Sequence, residues 1–190
     1  MKNWKKDIFN IPNLLSLFRI FLIPVYVAIY LNAKTDREYL LAGIILAVSC
    51  LTDMVDGKIA RHFNMITPLG KLLDPVADKM TQLVLTICLS LKYPVLRPVL
   101  VLFLIKEFFQ FSAALINYHR GKALDGALLA GKICTTVLFT SLTILVIVPR
   151  MDMQIVRLFA LADAICLFFA FLQYIFAFFG KNAKVQDIET

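Results

Sequence analysis

The chain is poor in charge: only 17% of its 190 residues are Asp, Glu, Lys or Arg, against about a quarter in an ordinary soluble domain. It has two histidines, His62 and His119, with no histidine partner at ligand spacing, which argues against a histidine-rich metal centre. Its four cysteines, Cys50, Cys88, Cys134 and Cys166, each stand alone in an apolar run. No pair has CxxC or metal spacing, so a disulfide scaffold and a zinc cluster are both excluded. Seven glycines form neither GxGxxG nor GxxxxGK, and the phosphate-cradling loops those patterns mark are absent. There is no Gly-Ser or Pro-rich linker, no internal repeat and no low-complexity stretch.

Apolar residues, by contrast, are in excess. They make up 60% of the chain, including sixteen Phe, and the mean hydropathy is +0.78. That is more apolar sequence than one water-soluble core can use, so disorder and a soluble nucleotide-binding fold are ruled out and an integral membrane protein is expected. The net charge of +7 fits the Lys and Arg that helical membrane proteins gather in their cytoplasmic loops, without invoking nucleic acid.

Six runs are long and apolar enough to span a bilayer, at roughly 12–32, 39–60, 72–92, 94–118, 126–149 and 154–179. The expected fold is all-α: one membrane-embedded domain over 1–190, with an interfacial helix at 1–10, a six-helix bundle over 11–180 and a cytoplasmic tail at 181–190. Lys2, Lys5 and Lys6 beside Trp4, Ile8 and Phe9 suit an amphipathic helix at an anionic surface. With the N-terminus inside, the inner loops and ends hold ten Lys and Arg against six outside. That bias predicts both termini in the cytoplasm.

Four acidic residues fall in one short stretch: Asp53, Asp56, Asp74 and Asp78. At helical spacing Asp53, Asp56, Gly57 and Ala60 share one arc of the second span. Gly70, Asp74, Ala77 and Asp78 share another at the start of the third. Each arc pairs two carboxylates with side chains of minimal bulk. Four half-buried carboxylates need compensation, and hard oxygen donors suit Mg²⁺, Mn²⁺ or Ca²⁺. The small residues leave room for something flat and bulky, and a nucleotide bound through its phosphates and metals fits. Pairing with Lys58, Arg61, Lys71 and Lys79 as interfacial acids is the plainer alternative. Arg19 lies inside the first span with Asn13 and Ser16 on the same side. It either snorkels to the headgroups or faces the bundle to bind a diphosphate or orient an aspartate.

Asp53–Asp78 reads D-x2-D-G-x2-A-R-x8-G-x3-D-x3-D, which resembles the complete signature of the CDP-alcohol phosphotransferase family. The flanks Asn10-Ile-Pro-Asn-Leu-Leu-Ser-Leu-Phe-Arg19 and Leu73-Asp-Pro-Val-Ala-Asp-Lys79 resemble those of bacterial phosphatidylglycerophosphate synthases and related cardiolipin synthases. The resemblance implies two divalent ions, Mg²⁺ or Mn²⁺, held by Asp53, Asp56 and Asp74 with Asp78 nearby, and Asp78 as general base. It implies a cytidine diphosphate site around Asp56, Gly57, Ala60 and Arg61, with Gly70 allowing close helix approach and Asn13 and Arg19 assisting. The implied reaction attacks the phosphorus of CDP-diacylglycerol that bears the lipid and releases CMP. Glycerol 3-phosphate is the expected acceptor; phosphatidylglycerol, inositol phosphate or another alcohol are the alternatives within the family. The implied setting is a bacterial cytoplasmic membrane with the site facing the cytoplasm, and the implied assembly a homodimer.

Lys106, Arg120, Lys122 and Lys132 are the cations available for an acceptor phosphate. Lys106 and Glu107, being adjacent, cannot share one helix face and are expected to serve different partners. The synthases usually carry Arg-Glu at this point and Gly-Lys-x-Lys-Thr later. Here Lys106 replaces the Arg, and Cys134 replaces the second Lys of Gly131-Lys-Ile-Cys-Thr135. Two other classes use intramembrane acids. A cation transporter leaves the small-residue clearing without a purpose, and intramembrane prenyltransferases place their Asp-rich motifs far apart.

Overall fold

The computed structural model describes residues 10–62, 67, 70–119, 122–124, 129–179 and 185–187. Of these, 11–12, 53–62, 71–72, 117–119, 122–124, 129–130, 132, 179 and 185–187 are described by backbone alone. Six long helices follow one another: α1 (Ile11–Asn32), α2 (Asp36–His62), α3 (Gly70–Lys92), α4 (Arg97–His119), α5 (Leu129–Ile147) and α6 (Met153–Phe179). A single 3₁₀ turn, Pro94–Leu96, leads into α4.

Local chemistry explains the ends of these helices. Asn10 is extended, its carbonyl accepts the Leu14 N–H at 2.9 Å, and proline occupies the first turn of α1, where an N–H has no helical partner to lose. Between α1 and α2 the run Thr35-Asp-Arg-Glu38 forms a reciprocal cap. The Glu38 carboxylate accepts the N–H groups of Lys34 (2.5 Å) and Thr35 (2.9 Å), and the Glu38 N–H reaches the Thr35 hydroxyl at 3.4 Å. Those backbone donors, Lys34 foremost, hold the Glu38 carboxyl below the usual carboxylate range.

The chain divides into two compact units. The first, Met1–Leu89 with Thr143–Arg150, contains α1, α2 and nearly all of α3. Helices α1 and α2 pack as a hairpin, with Tyr26 stacked on Tyr30 at 5.5 Å and Tyr30 edge-on to Tyr39 at 5.5 Å. Ala42, Leu46, Ala77, Leu85 and Leu89 fill the buried centre. The second unit, Ser90–Leu142 with Met151–Thr190, contains α4, most of α5, and α6. Phe109 of α4 meets Phe171 and Phe178 of α6 edge to face at 5.4 and 6.0 Å. Ser141 of α5 bonds Asp163 of α6 at 2.6 Å, which gives two buried polar side chains each other as partners.

The architecture is helical as expected, with one addition that the sequence did not indicate: strand β1 (Lys122–Leu124) pairs antiparallel with β2 (Val185–Asp187), Lys122 facing Asp187 and Leu124 facing Val185 in the register. Three-residue strands carry no readable period, and their pairing joins segments far apart in the chain. Residues 1–9 of the expected interfacial helix, and residues 181–184 and 188–190 of the expected tail, lie outside the described residues.

Three helical segments among the described residues are long and apolar enough to cross a membrane: Asn13–Asn32, Pro94–Ile116 and Met153–Phe178. Their outward residues are what lipid requires, Phe108, Phe111 and Phe176 being 75%, 69% and 72% exposed. The protein is an integral membrane protein.

Gly43 of α2 is a packing position. A Cβ there would lie 3.0 Å from Ile147 Cγ1, tighter than ordinary van der Waals contact. Gly43→Leu should therefore lower the melting temperature of the detergent-solubilised protein, since overpacking costs about 1–3 kcal/mol, only partly offset by a helix-propensity gain of about 1 kcal/mol. An unchanged melt would show that the two segments separate freely at this point.

Candidate functional site: a carboxylate pair clamped by the first helix

Helix α3 starts at Gly70, and its first turns bring Asp74 and Asp78 onto one face. The start is built by Thr67, whose hydroxyl accepts the Gly70 N–H at 3.0 Å, the usual role of a threonine before a helix. Thr67 is itself tied to α1: Asn13 Nδ2 donates to its hydroxyl at 2.9 Å, and that hydroxyl lies 3.2 Å from Asn13 Oδ1. Gly70 permits this closeness. An added Cβ would sit 2.5 Å from Asn13 Oδ1 and 3.2 Å from the Thr67 hydroxyl.

One turn on, the Ser16 hydroxyl donates to Asp74 Oδ1 at 2.5 Å. Another turn on, Arg19 Nη1 donates to Asp78 Oδ1 at 2.5 Å. Asn13, Ser16 and Arg19 thus form a polar edge on α1 that meets Thr67, Asp74 and Asp78 rung by rung. The asymmetry of the last rung matters: the Arg19 side chain is 2% exposed and that of Asp78 46%. Arg19 does not snorkel. It is buried in the first unit with Asp78 as a charged partner, while Asp78 stays half-exposed. Ala77, fully buried beside it, adds almost no bulk.

The other arc is seen through its backbone. Helix α2 is unbroken through 53–62, carrying Asp53, Asp56, Gly57, Ala60 and Arg61 on its last turns. The side chains of these residues lie outside the description, as do that of Lys132 and the whole of Arg120; Lys122 is placed on β1 by its backbone alone. Among the described residues no three His, Cys, Asp or Glu converge. Asp74 and Asp78 are nonetheless hard oxygen donors, half-buried and oriented by neighbours, which is the donor chemistry that Mg²⁺ or Mn²⁺ takes.

In the second unit Lys106 is buried on α4, and the structure corrects the expectation for it. Lys106 Nζ donates to Glu107 Oε1 at 2.6 Å, so the neighbours serve each other. Their Cα–Cβ directions diverge by about a quarter turn, but two long flexible arms can still fold together. Lys106 Nζ also stands 5.7 Å from the centre of the Tyr174 ring. The Tyr174 hydroxyl packs where a Cβ of Gly131 would be, so the glycine before Lys132 makes room for a tyrosine of α6.

The sequence assigns no role to three residues here. Thr67 carried a signal, a hydroxyl three residues before a helix start. Ser16 was visible only as a same-side neighbour of Arg19. Tyr174 carried no signal, because only packing brings α6 beside Gly131.

The geometry defines a helical membrane protein with a carboxylate site at the start of one helix, held from a neighbouring helix by an amide, a hydroxyl and a guanidinium. The family model for CDP-alcohol phosphatidyltransferase matches residues 9–179, and the chain belongs to that family. Among similar proteins, a CDP-diacylglycerol–glycerol-3-phosphate 3-phosphatidyltransferase of Escherichia coli (strain K12) is 46% identical over 72 residues, 38% of this chain and 39% of that one. A protein of the same name from Rickettsia typhi (strain ATCC VR-144 / Wilmington) is 38% identical over 100 residues, 52% of this chain and 55% of that one. The chain thus spans about half the length, or less, of the curated relatives it matches.

If the rungs set the carboxylates, breaking the first should disturb the rest. Gly70→Leu drives Asn13 away from Thr67 and should lower the melting temperature of the detergent-solubilised protein, since overpacking costs about 1–3 kcal/mol. A thermal melt checks this; an unchanged transition would show that the Asn13–Thr67 rung does not hold α1 against the start of α3.

Proposed function

We propose that the protein transfers the phosphatidyl group of CDP-diacylglycerol to glycerol 3-phosphate and releases CMP. The observation that carries the reading is the Arg19–Asp78 contact: a half-exposed carboxylate held in place by a buried cation. Family membership and the names of the relatives support the same reaction.

In this reading Asp78 accepts the proton of the acceptor hydroxyl. That oxygen bonds to the lipid-bearing phosphorus, the bond from phosphorus to CMP breaks, and the electron pair leaves with CMP. Arg19 keeps Asp78 in place, and Ser16 does the same for Asp74. Gly57, Ala60 and Arg61, with Asp56, Gly70 and Asn13, surround the cytidine diphosphate. Two divalent ions held by Asp53, Asp56 and Asp74, with Asp78 adjacent, would offset charge on the phosphate oxygens.

Glycerol 3-phosphate brings a dianion into a site rich in carboxylates, so cations must offset it. Lys106 already has Glu107 as a counter-charge, which shifts the weight to Lys132, with Arg120 and Lys122 beside it in the chain. We place all six helices across a bacterial cytoplasmic membrane as one domain, with the site facing the cytoplasm and the protein acting as a homodimer.

Supplying CDP-diacylglycerol with each candidate alcohol, and identifying the lipid formed, tests the reaction. Phosphatidylglycerophosphate is the expected product; cardiolipin or an inositol lipid would replace the acceptor and leave the family standing. Asp78→Asn should abolish turnover while CDP-diacylglycerol still binds. Normal turnover in that variant would remove Asp78 as the base. Lys132→Ala should raise the KM for glycerol 3-phosphate about tenfold or more, the expected cost of one charge-assisted contact, with the KM for CDP-diacylglycerol little changed. Equal effects on both would make Lys132 structural.

A further inference from the structure

Helix α3 carries one more polar group on the Asp74–Asp78 side, and nothing above uses it. Gln82 follows Asp78 by one turn, and only 8% of it is exposed. Its Oε1 is buried and has no hydrogen-bond partner among the described residues. The neighbouring polar side chains on this helix are satisfied. Asp74 takes the Ser16 hydroxyl and Asp78 the Arg19 guanidinium. Thr81 donates to the Ala77 carbonyl at 2.8 Å, and Thr86 to the Gln82 carbonyl at 2.7 Å. A buried acceptor without a donor costs about 1–3 kcal/mol, and a leucine would fill the same volume in a membrane helix without that cost. The group is therefore poised for a donor that arrives from outside the chain.

We propose that Gln82 is a specificity-determining residue that accepts a hydrogen bond from a second hydroxyl of the acceptor alcohol. The inference rests on the proposed transfer to glycerol 3-phosphate. Side chains at i and i+4 of a helix are neighbours, with Cβ atoms about 5–6 Å apart, so Gln82 lies within a small polyol's length of Asp78, and an acceptor that displaces the packing over the buried Oε1 meets both. Asp78 takes the proton of the attacking primary hydroxyl, and Gln82 Oε1 accepts the adjacent secondary hydroxyl. The polarity matches: an ester, a phosphate or a methylene offers no proton to this oxygen, whereas a vicinal diol does. A simple alcohol phosphate lacking that hydroxyl leaves Oε1 unpaired, and a site built this way rejects it.

The test compares sn-glycerol 3-phosphate with 1,3-propanediol monophosphate, which keeps the phosphate and a primary hydroxyl and lacks only the secondary one. Wild-type protein should favour glycerol 3-phosphate by about tenfold or more in kcat/KM, the weight of one buried hydrogen bond. Gln82→Met, close in shape and without an amide, should bring the two substrates within about twofold by losing rate on glycerol 3-phosphate alone. The KM for CDP-diacylglycerol should not move. Gln82→Leu provides a second removal of the acceptor should the methionine variant fold poorly. The role is overturned if wild-type protein uses both phosphates equally well, or if the variants keep the wild-type preference. It is also overturned if they lose both substrates in proportion, the mark of a structural residue. Wild-type protein that makes lipid from neither phosphate would overturn the acceptor reading itself, and the role of Gln82 with it.

Discussion

A guanidinium taken out of water inside a membrane helix has to meet a counter-charge, and much of the first unit follows from that demand. Arg19 is buried, and the carboxylate it meets is Asp78. The contact fixes the rotation and height of α3 against α1, because only one register puts Asp78 opposite Arg19. The same register then puts Asp74 opposite Ser16 and the start of the helix opposite Asn13. Burying a charge with a partner is weak evidence for stability. Its clearer consequence here is geometric, since any slip along α3 breaks several polar contacts at once.

That constraint bears directly on the proposed chemistry. A general base must be ionised, fixed and open on one side. A fully buried ion pair would be fixed but closed, and a surface aspartate open but loose. Burial of the arginine fixes the aspartate, and half-exposure keeps the aspartate within reach of what lies outside the helices. Small residues do the complementary work: Gly70 lets α1 approach, and Ala77 keeps the face beside Asp78 low. In the second unit Lys106, Glu107 and Tyr174 form a separate polar group in an otherwise apolar setting, again with each charge given a neighbour.

Much was legible before any coordinates. Membrane character followed from composition, and the places of the long helices from the apolar runs, with ends within a few residues of those expected; three segments among the described residues are long and apolar enough to span a membrane. The Asp–Gly–Asp signature marked the α3 face, and the spacing of Asn13, Ser16 and Arg19 already placed them on one side of the first helix. Local rules suffice for these features because each is written in neighbouring residues: helical period, a capping hydroxyl, a proline in a first turn.

The rest depended on distances between residues far apart in the chain. Sequence left open whether Arg19 turned to the headgroups or to the bundle, since a long side chain can do either. Packing against α3 decided it. Sequence separated Lys106 from Glu107 by helix geometry, and flexible side chains joined them. It gave no hint of the β1–β2 pairing, whose hydrogen bonds are backbone bonds and hardly depend on residue type. It could not show that Gln82 has a buried oxygen to spare, because an unsatisfied group is defined by everything around it. Composition and period determined what kind of protein this is and where its helices run; only tertiary structure decided which polar atoms are paired, because pairing is a property of three-dimensional neighbours.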